Sequence, residues 1–123
     1  MTDGLPPLVD THCHLVLLDE RGLLDAALEG AAAAGVDQIV SVGLNLDDSD
    51  RNRQIAEAHP AVYFTVGWHP HEKTAPDAQE RAALDAPLRH PKAVAGGEVG
   101  RDLFIRPGYH EVPIDGQPRA SRL

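Results

Sequence analysis

The sequence predicts an α/β domain in which strands and helices alternate and all strands run parallel. Three observations lead there. Short apolar runs with strand-like spacing alternate with segments whose apolar residues recur at helical spacing. The joints between them are short, so each strand must be followed by a helix that crosses back over the sheet. One joint also occurs twice: Ala58-His59-Pro60-Ala61-Val62 is echoed by Arg89-His90-Pro91-Lys92-Ala93-Val94, each ending a helix and entering a strand. Such a pattern permits an open doubly wound sheet or a (β/α)₈ barrel. About four units are visible in 123 residues, whereas a full barrel takes ~250 residues.

The elements follow in order. Leu8-Val9-Asp10 reads as a short buried strand. Residues from about Glu20 to Ala34 read as a helix with Leu24, Ala27, Leu28 and Ala31 on one face and Gly35 as its stop. Val36 to Val42 is a second strand. Asp47 to His59 is a polar, mostly exposed helix with Ile55 as its best core contact. Ala61 to Val66 is a third strand. Thr74-Ala75-Pro76-Asp77 looks like a helix entry, with Thr74 as cap and Pro76 in the first turn. That helix runs toward Leu88, with Pro87 disturbing its last turn. Lys92 to Val99 is a fourth strand.

Composition narrows the function classes. The formal charge of -8 fits a cytoplasmic protein and argues against broad non-specific binding to nucleic acid. It leaves a nuclease open, because a bound divalent ion inverts the local charge of a pocket. Aromatic residues make up 4%, thin for a base-stacking surface. A single cysteine excludes an internal disulfide framework and fits a reducing compartment. The opening MTDGLPPLVD lacks a basic-then-apolar leader, and no apolar run approaches ~18 residues, so neither a signal peptide nor a membrane span is expected.

In parallel α/β folds the chemistry sits beyond the carboxyl ends of the strands. That rule sorts the histidines. His12 and His14 end the first strand, and extended backbone would project both to one side with Cys13 on the other. His69 and His71 in Gly67-Trp68-His69-Pro70-His71-Glu72 follow the third strand. His59 and His90 precede strands, where helix C-terminal capping is the simpler role. His110 has no place. The fourth strand ends Gly96-Gly97-Glu98-Val99-Gly100-Arg101-Asp102, whose glycines would leave room for a substrate or a neighbouring strand. Two imidazoles on one side of a strand make half of a first-row metal site. Glu98 could bridge two ions and Asp102 could orient a water or a ligand histidine. Cys13 reads as a small buried hydrophobe. Asp47-Asp48-Ser49-Asp50 reads as the acidic bias of a helix start and lacks the spacing of a calcium loop.

Three segments in this order, Val9 to Leu15, Gly67 to His71 and Gly97 to Asp102, resemble the TatD family of metal-dependent hydrolases from Leu8 onward. The resemblance implies a TIM barrel with two divalent ions and phosphodiester cleavage, often by deoxyribonucleases acting from a 3′ end. It makes His12 and His14 ligands of one ion and Glu98 the carboxylate that bridges both, while His69 and, more weakly, His71 face the substrate phosphate. It also implies that the chain is a single partial domain over residues 1–123, the first four β/α units of a truncated half-barrel. Residues 1–7 would be a leader and 107–123 a poorly packed tail. Arg101, Leu103 and Gly96 depart from the family pattern.

Two readings result. One is a metal-dependent hydrolase acting on DNA or a small phosphodiester, with an incomplete two-metal site and little activity. The metal (zinc, manganese or magnesium) is not distinguished by these ligands. The other is a non-enzymatic half-barrel that binds one metal and forms a homodimer through exposed sheet edges, or pairs with a complementary chain. Amide or ester hydrolysis on the same two-histidine architecture ranks below both.

Overall fold

A computed structural model of the chain describes residues 4–72 and 74–99. Strands β1 (Leu8–Cys13), β2 (Val36–Ser41), β3 (Val62–Val66) and β4 (Ala93–Gly96) form one sheet in the order β1-β2-β3-β4. Every adjacent pair is parallel. The crossovers are carried by α1 (Leu15–Glu20) and α2 (Leu24–Ala33), then α3 (Leu46–Ala58), then α4 (Ala78–Leu88). Because spatial order follows chain order without reversal, the sheet is a stretch of barrel wall and not a doubly wound sheet. No helix among the described residues is long and apolar enough to cross a membrane.

The core lies between the sheet and its helices. Ile39 of β2 and Val62, Phe64 and Val66 of β3 meet Leu15, Val16, Leu24, Ile55, Ala56 and Leu84. Val62 and Phe64 are completely enclosed, as befits a strand with a neighbour on each side. The first strand is not buried as its apolar start suggests. Leu8 and Val9 are about half exposed, because β1 is an edge strand paired with β2; its Cys13 is what packs on the core.

Several boundaries move for identifiable reasons. The helix expected over 20–34 starts later, as α2 at Leu24, and the unexpected α1 precedes it over 15–20, because Gly22 at φ 68° ends α1 in the left-handed region and the Leu23 N–H closes back on the Leu18 carbonyl at 2.9 Å. The α4 cap is Asp77, not Thr74. Asp77 accepts from the Glu80 N–H at 2.7 Å, and the Glu80 carboxylate accepts from the Asp77 N–H at 2.8 Å, a reciprocal box that satisfies two end donors. Pro76 therefore precedes the helix instead of lying in its first turn, while Pro87 stands inside its last turn. Strand β4 spans Ala93–Gly96, shorter than the expected 92–99.

Lys92 is left outside β4 to do something else. Its Nζ donates to the carbonyls of Ala56 at 2.5 Å and His59 at 2.9 Å, closing the C-terminus of α3. His90 lies on the foot of the sheet as expected, but its ring does not cap a helix. Its Nδ1 accepts from the Lys92 N–H, its Nε2 meets Glu57 at 3.1 Å, and it lies against Phe64. His59 is the C-cap residue of α3, donating its N–H to Ile55.

Candidate metal centre

At the carboxyl end of β1, His12 is still within the strand, and His14 is one step beyond it as the N-cap residue of α1. The two rings meet edge to face, centroids 5.3 Å apart. Cys13 points the other way, as alternation requires. Its thiol lies 3.6 Å from the Val40 carbonyl, and burial, aided by the charge of Asp10, pushes it up to about 11.

Glu98 arrives from beyond β4, and two bonds fix its approach. The Gly97 N–H donates to the Val66 carbonyl at 2.9 Å, and the Gly97 carbonyl accepts from Thr65 Oγ1 at 3.0 Å. The glycine that makes room is Gly67 at the end of β3. A Cβ there would lie 2.6 Å from the Glu98 nitrogen and closer still to the Gly97 carbonyl. Of the glycines flanking Glu98, a Cβ on Gly97 would meet nothing within 4 Å and one on Gly96 makes only ordinary contact; Gly100 lies outside the described residues.

So placed, Glu98 Oε1 is 3.2 Å from His12 Nε2, and Oε2 is 3.6 Å from His69 Nε2. His12, His14 and Glu98 each offer one ligand atom, all within 4.8 Å of one another. This is the one spatial convergence on which the site depends. Two buried atoms in it, His14 Nδ1 and Glu98 Oε2, have no hydrogen-bond partner among the described residues. A buried acceptor without a partner costs roughly 1–3 kcal/mol, and a cation supplies what these two lack. Two imidazoles and a carboxylate are suitable donors for a first-row divalent ion, so the residues present fit one.

His69 stands across from this group. Its Nδ1 accepts from the His71 N–H at 3.0 Å, so in the neutral ring the proton lies on Nε2, the atom that faces Glu98. His71 packs edge to face on His69, centroids 4.6 Å apart, and does not join the donor group. Asp102, His110 and the 107–123 tail lie outside the described residues.

Sequence reading missed the support beneath His14. Asp48 is more than the acidic start of a helix: it accepts from the Leu44 N–H at 2.9 Å. Burial raises its pKa, opposed by that bond and by the nearby His14. Ser41 and Asn52, both fully buried polar residues, complete this layer. A polar residue at the end of an apolar strand, opposite a helix stripe of Ser49, Asn52 and Ala56, was the available signal.

A family model described as TatD related DNase matches residues 9–115. An uncharacterized metal-dependent hydrolase TatD from Mycobacterium tuberculosis is 37% identical over 102 residues, covering 79% of this chain and 38% of its own. A 3′-5′ ssDNA/RNA exonuclease TatD from Cronobacter turicensis is 36% identical over 100 residues, with 79% and 38% covered. The crystal structure of YjjV, a TatD homologue from Escherichia coli, superposes with a TM-score of 0.69 at 32% identity, covering 80% of this chain and 39% of that one. The chain therefore spans about two fifths of the length of the relatives it matches.

Proposed function

The chain belongs to the family of TatD-related DNases, and on that premise we propose that it supplies the two-histidine and glutamate part of a metal-dependent phosphodiester hydrolase acting on nucleic acid. The convergence of His12, His14 and Glu98 supports this reading more than any other observation. The three side chains would hold one divalent ion. When bound, the ion supplies Lewis acidity toward a phosphoryl oxygen and lowers the pKa of a coordinated water. His69 donates its Nε2 proton to a phosphate oxygen of the substrate, and His71 keeps that tautomer in place through its backbone N–H. For Asp102, which lies outside the described residues, the role proposed from the sequence is to orient a water or a ligand histidine. A bound divalent ion would also offset locally the repulsion between an acidic chain and a polyanion.

Three protein donors among the described residues are few for two ions. The 123 residues by themselves therefore hold one ion and cleave DNA or RNA negligibly. Metal-dependent cleavage of a 3′-labelled single strand, with His12→Ala as control, tests this. Robust turnover that His12→Ala abolishes would overturn the low-activity part of the proposal while supporting the site.

A second reading is favoured by exposed apolar side chains at both sheet edges. Leu8 and Val9 on β1, and Val94 on β4, are each about half exposed, and edge strands carry unpaired backbone groups. On this reading the chain binds one metal and associates through those edges, as a homodimer or with a complementary chain. Sedimentation at micromolar concentration should then show a dimer; a well-behaved monomer counts against homodimerisation.

A further inference from the structure

Both peptide groups that flank His14 are pinned to the end of β2. On one side the Cys13 carbonyl accepts from the Val42 N–H at 2.8 Å. On the other the Leu15 N–H donates to Ser41 Oγ at 3.0 Å in a buried setting. A serine hydroxyl has one proton to give, and Ser41 gives it to Asn52 Oδ1 at 2.5 Å. That leaves the oxygen lone pairs directed at Leu15. Asn52 is fixed in turn: its Nδ2 lies 3.5 Å from Asp48 Oδ2, and that carboxylate is held by the Leu44 N–H. Ser41 and Asn52 are each fully enclosed.

Two uncharged polar side chains with no exposure are costly unless fully bonded, and an apolar pair would fill the same space. What this pair adds is direction. It ties α3 through β2 to the peptide that follows His14, whose own Nδ1 is buried and without a partner among the described residues.

We propose that Ser41 and Asn52 are positioning residues that hold His14 in its ligating pose, so that metal affinity depends on a hydrogen-bond relay which never touches the metal. The proposal rests on His12, His14 and Glu98 being the metal site. Groups bonded directly to a ligating side chain set its orientation elsewhere, and their loss typically weakens metal binding about 10–100-fold; this relay acts through the neighbouring peptide, so the low end of that range is expected.

The test is calorimetric titration of the full chain with zinc and with manganese, alongside the melting temperature of each metal-free variant. Ser41→Ala and Asn52→Ala should each weaken binding by about tenfold or more. Ser41→Thr, which keeps the oxygen, should bind close to the parent. Val62→Ala, a core truncation at the foot of β3 away from the rim, should lower the melting temperature while leaving affinity unchanged at a temperature where it stays folded. In cobalt-loaded protein the visible absorption bands should shift for Ser41→Ala and not for Val62→Ala. If Ser41→Ala and Asn52→Ala lose stability but keep the parent affinity and spectrum, the relay is merely structural and the proposal fails. An equal loss of affinity in Val62→Ala would refute it as well. Because His12→Ala is titrated in parallel, the two failures separate: unchanged affinity in that variant overturns the metal site itself.

Discussion

Glu98 and His12 stand at opposite ends of the described sheet in chain order, yet their side chains meet at 3.2 Å. Strands β1 and β4 are not neighbours. The contact exists because a wall of parallel strands directs all its carboxyl ends to one rim, and loops from non-adjacent strands reach across that rim. Substituting either residue should therefore damage the same property. Glu98→Gln and His12→Ala are each expected to weaken divalent-metal binding by an order of magnitude or more while leaving far-ultraviolet circular dichroism unchanged.

Gly67 makes a sharper prediction, because it touches no ligand atom. A methyl group there would collide with the Gly97–Glu98 backbone, so Gly67→Ala must displace the loop that carries Glu98. Metal affinity should fall about as far as in Glu98→Gln, with a modest loss of stability. By contrast, Gly97→Ala finds open space and should retain affinity. Titration of the two variants side by side distinguishes a need for room at β3 from a need for flexibility at Gly97.

Cys13 should be slow to react. Its thiol is pushed up to about 11 by burial, so at neutral pH almost none of it is thiolate, the nucleophilic form. Alkylation by iodoacetamide should lag well behind that of a free cysteine and accelerate only as pH climbs toward 11. The linkage has a fixed sign. A folded-state value above the ordinary 9.0 means the associated stability is fully present below pH 9 and is lost as pH rises through about 11. Rapid labelling at pH 7 would show Cys13 to be exposed.

At the foot of the sheet, Lys92→Met should remove the cation that closes α3. The expected cost is about 1 kcal/mol, read as a lower urea midpoint. Asp77→Ala should cost about the same through loss of the α4 box. Lys92 lies at the foot of the sheet, and Asp77, although on the same side as the rim, is not one of the metal donors, so neither should alter metal affinity.

The order of strands and helices was legible in the residues because periodicity survives folding. The rest depended on what neighbours do. Leu8-Val9 looked buried since an apolar run is necessary for burial, but burial also takes a partner on both sides, and β1 has β2 alone among the described residues. Helix α1 is only six residues long and merges in sequence with the helix that follows; Gly22 was its one mark. Thr74 reads as the cap because a threonine just ahead of a proline suits a helix entry, but the reciprocal bonds with Glu80 put the cap at Asp77. In the site, the alternation of His12 and His14 and the strand-end position of Glu98 could be read directly. Gly67, Ser41 and Asn52 could not, because their roles arise from register between strands and from one helix facing one strand.

A crystal of the chain grown with zinc, examined by anomalous diffraction, addresses the metal centre directly. A single strong peak should appear at about 2.0–2.2 Å from a nitrogen of His12, a nitrogen of His14 and an oxygen of Glu98. No peak at saturating zinc, or a peak bound by other residues with these three side chains turned away, would contradict it.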